Sequence, residues 1–73
     1  MTRIYSVTLG GDVLKIVWDG NIFLTSNGES HSTRRQAQMC EVKNYYESFQ
    51  EFPSTDEIAW LVDCNLVFVR AED

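Results

Sequence analysis

Three glycine-bearing turn pairs, Gly10-Gly11, Asp19-Gly20 and Asn27-Gly28, cut the first part of the chain into short β-prone runs. Such pairs tolerate the positive φ that a tight hairpin needs, so neighbouring runs are expected to fold back on one another. Tyr5, Val7 and Leu9 alternate with Ser6 and Thr8, the period-2 pattern of a half-buried strand. In Asp12 to Trp18, Leu14, Ile16 and Trp18 share one face and Val13, Lys15 and Val17 the other. A third strand is predicted over Ile22 to Thr25, after a type I′ turn at Asp19-Gly20. The opening third is therefore predicted to be a three-stranded antiparallel meander.

From Ser32 the period changes. Thr33 to Phe52 contains neither Gly nor Pro and predicts a helix, with Ser32 or Ser30 as N-cap and Pro53 as the stop. At 100° per residue, Met39, Val42, Tyr45, Tyr46, Phe49 and Phe52 fall on one face, a stripe suited to covering a sheet. Gln36, Lys43, Asn44, Glu47, Gln50 and Glu51 fall on the other. Residues 55–62 are open to two readings. Ser54-Thr55-Asp56-Glu57 fits a capping box opening a short helix. Ile58, Trp60 and Val62 also alternate like a strand, and the hairpin is preferred because Trp60 would leave the apolar face of a helix. A final strand, Leu66 to Arg70, belongs to both readings. The fold class is α+β: the meander, one long helix packed on it, then a C-terminal hairpin or a short helix plus strand. Residues 1–73 form a single small domain.

At 73 residues the core is small, and a domain of this size often needs a staple, a metal or a partner. Ile, Leu, Val and Phe make up 20 of the 73 residues, enough for the chain to fold. No apolar run reaches the roughly 18–20 residues that span a bilayer. Met1-Thr2-Arg3-Ile4 leads into alternating residues rather than a secretory apolar stretch, which points to the cytoplasm. Thiols stay reduced there, so a Cys40–Cys64 disulfide is not expected.

No pattern of catalytic residues emerges. His31, the only histidine, lies in the polar stretch Glu29-Ser30-His31-Ser32 and is expected to be a solvated loop residue. Cys40 and Cys64 with His31 and Asp63 are the conceivable zinc ligands, but they lack the paired spacing of structural zinc sites. Gly10-Gly11 leads into an acidic residue and a strand rather than a helix N-terminus, and hairpin turns account for all four glycines, so no phosphate loop is expected. No catalytic residue, metal or cofactor is therefore expected. Six basic residues against eleven acidic ones also argue against direct nucleic-acid binding.

The charges are lopsided. Residues 1–40 carry four basic and three acidic side chains, and residues 41–73 carry two basic and eight acidic ones. The long helix is charged against its own dipole, with Arg34 and Arg35 at the start and Glu47 and Glu51 near the end. Glu47, Glu51, Asp56 and Glu57 are accordingly expected to form an acidic patch offered to a basic protein surface. In size, acidity and want of catalytic motifs, the chain resembles the small acidic accessory proteins of bacteriophages and mobile elements, anti-CRISPR inhibitors among them. That resemblance is one of class, and it implies a stoichiometric inhibitor or adaptor acting on a nucleic-acid-handling protein in the host cytoplasm. The alternatives are a self-assembling structural module, for instance a homodimer, and, further off, a metal- or cysteine-dependent enzyme.

Overall fold

The computed structural model of the chain describes residues 2–65 and 71–72. Strands β1 (Arg3–Leu9) and β2 (Asp12–Trp18) are antiparallel, with Arg3 opposite Trp18 and Leu9 opposite Asp12. The connection is thus the two-residue turn Gly10-Gly11, and both glycines take positive φ, 59° and 84°, as the right-handed twist of a tight hairpin demands. The next connection differs from the expected type I′ turn. Trp18 pairs with Phe23 and Val17 with Leu24, leaving Asp19 to Ile22 as a four-residue loop before β3 (Phe23–Leu24). Asp19 keeps negative φ, and its carboxylate accepts the backbone N–H groups of Asn21 and Ile22, both at 2.9 Å. Side-chain capping by Asp19 competes with the primed turn and wins.

Two further strands extend the meander. β4 (Ser30–His31) pairs antiparallel with β3 across the turn that carries Asn27-Gly28, so His31 is a strand residue rather than a solvated loop residue. β5 (Ala71–Glu72) pairs antiparallel with β1. The sheet order is β4-β3-β2-β1-β5. The strand expected over Leu66 to Arg70 lies outside the described residues.

Helix α1 (Arg34–Glu47) is capped by Thr33, one residue after the expected serine, with the Thr33 hydroxyl accepting the Gln36 N–H at 3.2 Å. It also ends earlier than Pro53 would dictate. Gln50 takes φ 61° and is the one non-glycine residue with positive φ among those described. Its N–H bonds to the Glu47 carbonyl and the Glu51 N–H to the Tyr46 carbonyl, at 2.9 and 3.0 Å. This is a Schellman termination with glutamine where glycine is usual. Gln50→Gly is therefore expected to stabilise the chain by roughly 0.5–1 kcal/mol, since glycine adopts this conformation without the Cβ clash. Urea unfolding of the two proteins checks it.

Residues 55–62 are helical, which corrects the preferred hairpin. Helix α2 (Thr55–Trp60) continues as one wide π-type turn, Leu61–Asn65. The Ser54 hydroxyl accepts the Glu57 N–H at 3.2 Å, and Asp56 and Glu57 in the first turn suit the helix dipole. Ile58 and Val62, four apart, are then both buried, while Trp60 is left 59% exposed. The burial of two aliphatic side chains outweighs that of the one tryptophan.

The core sits between the layers. Leu14 of β2, Val42 of α1, and Ile58 and Val62 form one cluster, with Met39, Tyr45 and Tyr46 packed against it. Ile16 and Ala37 are also buried. Each aliphatic side chain shut away here is worth about 1.5–3 kcal/mol. Among the described residues no helix is long and apolar enough to cross a membrane.

Candidate functional site

The end of α1, the connector and α2 enclose a cleft of about 630 Å³. Tyr46 and Leu61 line it together with Phe52 and Pro53 of the connector and Trp60 of α2. Glu51 and Glu57 bring carboxylates to the same lining. Phe52 was expected on the buried stripe of α1, but the helix ends at Glu47 and the connector turns Phe52 outward, 74% exposed. Phe49, also expected inside, is 59% exposed. Its ring stands edge-on to Tyr45 at 5.1 Å, and Tyr45 stands edge-on to Tyr46 at 5.5 Å, so an aromatic row leads toward the cleft.

The four acids named from the sequence divide here. Glu51 and Glu57 line the cleft together. Asp56 lies in the first turn of α2, exposed and outside the lining. Glu47 reaches Lys43 at 3.8 Å, one helical turn back, so its charge is partly matched. The aromatic component was missed. Its one visible signal was Trp60, whose place off the apolar face of a helix marks it as exposed.

The arginines that open α1 against its dipole are held by tertiary contacts. Arg35 donates two hydrogen bonds to Asp63, at 3.0 and 2.7 Å, and Arg34 lies over the Tyr5 ring at 5.4 Å. The Arg35 hydrogen bonds hold the Asp63 carboxyl below its ordinary 3.8, and the N–H groups of Ile22 and Asn21 do the same for Asp19. A carboxyl whose folded value is lowered contributes stability above its unfolded value and loses it as pH falls through the folded one. Stability is thus expected to decline below about pH 4. Asp63→Asn should flatten that decline, as read by urea midpoints between neutral pH and about pH 3.

A second polar cluster joins the β3–β4 turn to α1. Glu41 is buried to 7% exposure, and its carboxylate accepts from the Ser26 N–H at 2.8 Å and the Ser26 hydroxyl at 2.7 Å. Thr25, 5% exposed, closes the same turn through its N–H to the Glu29 carbonyl at 2.9 Å. Beyond the turn, the Cys40 thiol donates to Glu29 Oε2 at 3.1 Å, and the Asn44 amide donates to Glu29 Oε1 at 3.3 Å. Burial and the Glu29 carboxylate push the Cys40 thiol up to about 11, so it is protonated at neutral pH and is no activated nucleophile. Of the residues weighed as zinc ligands, Cys40 and His31 come together here, Asp63 is taken by Arg35, and the Cys64 side chain is outside what is described. Comparison with family models, curated proteins and solved structures finds no match to this chain.

Proposed function

We propose that the chain is a small protein-binding module, a stoichiometric inhibitor or adaptor that docks its acidic-edged aromatic cleft on a basic protein surface. One observation carries the reading: Phe52 and Trp60, 74% and 59% exposed, line the same cleft as Glu51 and Glu57. Large aromatic side chains held in the open beside a concave surface are the usual anchors of protein interfaces. Carboxylates beside them favour lysine- and arginine-bearing partners and repel acidic ones. The net charge of −5 adds long-range attraction to the same kind of partner. Proteins that handle nucleic acids present such basic surfaces, and an acidic accessory protein of bacteriophage or mobile-element type, anti-CRISPR inhibitors included, blocks or recruits them by this chemistry.

The test has two parts. The purified chain is sedimented alone, and the tagged chain is used to capture partners from its source cells at about 100 and about 500 mM salt, which shortens the screening length from ~10 Å to about 4 Å. The reading expects a monomer of 8.4 kDa. It also expects one basic protein retained at low salt and weakened at high salt, which when made separately binds one to one. A stable dimer equally present at both salts, with nothing else recovered, would replace it with the self-assembling module.

A further inference from the structure

The topology converts two short sequence patterns into one donor cluster. Glu29 and His31 flank Ser30 at the sheet edge, and residues two apart on an extended segment point the same way. Cys40 lies on the helix facing them, with Asn44 one turn further on. One ligand atom each from Glu29, His31 and Cys40 lie within 4.8 Å of one another. Cys40 Sγ and Glu29 Oε2 are already 3.1 Å apart. Ligand atoms around a tetrahedral zinc-sized ion are separated by about 3.5 Å, so closing the set needs shifts of about 1 Å. His31 supplies an independent sign. Its Nε2 is shut off from solvent and has no hydrogen-bond partner among the described residues, and a buried ring nitrogen in that state is unsatisfied.

We infer that Glu29, His31 and Cys40 bind one zinc-class divalent ion, with water in the fourth position. A sulfur, an imidazole nitrogen and a single carboxylate suit zinc and its stand-in cobalt, whereas magnesium and calcium prefer all-oxygen sets. On binding, the metal takes the place of the thiol proton, which leaves to bulk water, and a sulfur–metal bond replaces the thiol–carboxylate hydrogen bond. Asn44, whose amide also reaches Cys40 Sγ at 3.6 Å, remains as a donor to the thiolate. The ion would tie the two-residue strand β4 to α1, a staple of the kind that small domains often need.

The test is a titration of the metal-free chain with Co²⁺, followed by Zn²⁺. One Co²⁺ per chain is expected, with a thiolate-to-cobalt charge-transfer absorption that Zn²⁺ abolishes. Cys40→Ser should lose that absorption and Cys64→Ser should keep it. His31→Gln should weaken binding by about 100-fold or more, since even outer partners of a metal ligand change affinity by 10–100-fold. Circular dichroism shows which metal-free variants are folded. Should Cys40→Ser not fold, the His31→Gln titration and the melting of the unaltered chain decide. A hundredfold excess of Zn²⁺ over its Kd should raise Tm by roughly 10 °C or more. No charge-transfer absorption, its survival in Cys40→Ser, an unchanged affinity in His31→Gln, or no Zn²⁺-dependent rise in Tm would each overturn the assignment.

Discussion

Trp60→Ala and Phe52→Ala are each expected to weaken partner binding by about 30-fold or more, the loss of roughly 2 kcal/mol typical of an aromatic anchor. Both side chains are mostly exposed, so neither contributes much to the core. Truncating them should leave the unfolding free energy within about 0.5 kcal/mol of the original. That separation of binding from stability is the signature of a docking surface. A residue placed only by folding would move both quantities together. Titration calorimetry with the captured partner, beside urea unfolding of each variant, reads the two effects. Val13 is the useful comparison: it is 58% exposed on β2 and lies outside the cleft lining, so Val13→Ala should change neither.

Glu41→Ala is expected to destabilise the chain by about 2–4 kcal/mol, the largest loss predicted for any polar residue here. Glu41 is almost wholly buried and receives two charge-assisted hydrogen bonds from Ser26. Alanine removes both acceptors and leaves the Ser26 N–H and hydroxyl without them. The β3–β4 turn would lose its tie to α1, and with it the placement of Glu29 and His31 over Cys40. Glu41→Gln keeps the volume and one acceptor, so its cost should be nearer 1 kcal/mol. In a domain of this size, each kcal/mol lowers Tm by about 4–8 °C, which makes the two variants easy to tell apart in a melting curve.

The meander and the long helix were legible because their signals are local. Gly10-Gly11 marks a two-residue turn, alternation marks β1 and β2, and the glycine-free stretch marks α1. What stayed hidden depends on partners far along the chain or on conformations that leave no compositional mark. Gln50 ends α1 in a left-handed conformation that nothing about glutamine announces, so the apolar stripe was carried past Glu47 and Phe52 was placed inside. β4 is two residues long and polar, too short for alternation to show. Glu41 reads as an ordinary helix charge until Ser26, fifteen residues earlier, is brought against it. Residues 55–62 carried both a capping box and an alternation. Burial of Ile58 and Val62 against Leu14 and Val42 decided between them, and that packing is known only once α1 and β2 are in place. The same tertiary placement assembles the site. Glu51 and Glu57 were visible as charges, but Phe52 beside them was sorted by projection along a helix that ends at Glu47, and Trp60 lay beyond it.

The docking account is tested most directly by reversing the two charges that line the cleft. The chain carrying Glu51→Lys and Glu57→Lys would be compared with the unaltered chain for capture of the same partner at about 100 mM salt, where charges ~10 Å apart still interact. The account predicts that the reversed chain keeps its circular dichroism spectrum, melts only some degrees lower because Glu57 suits the α2 dipole, and no longer retains the partner. Equal retention of that partner by both chains would contradict it.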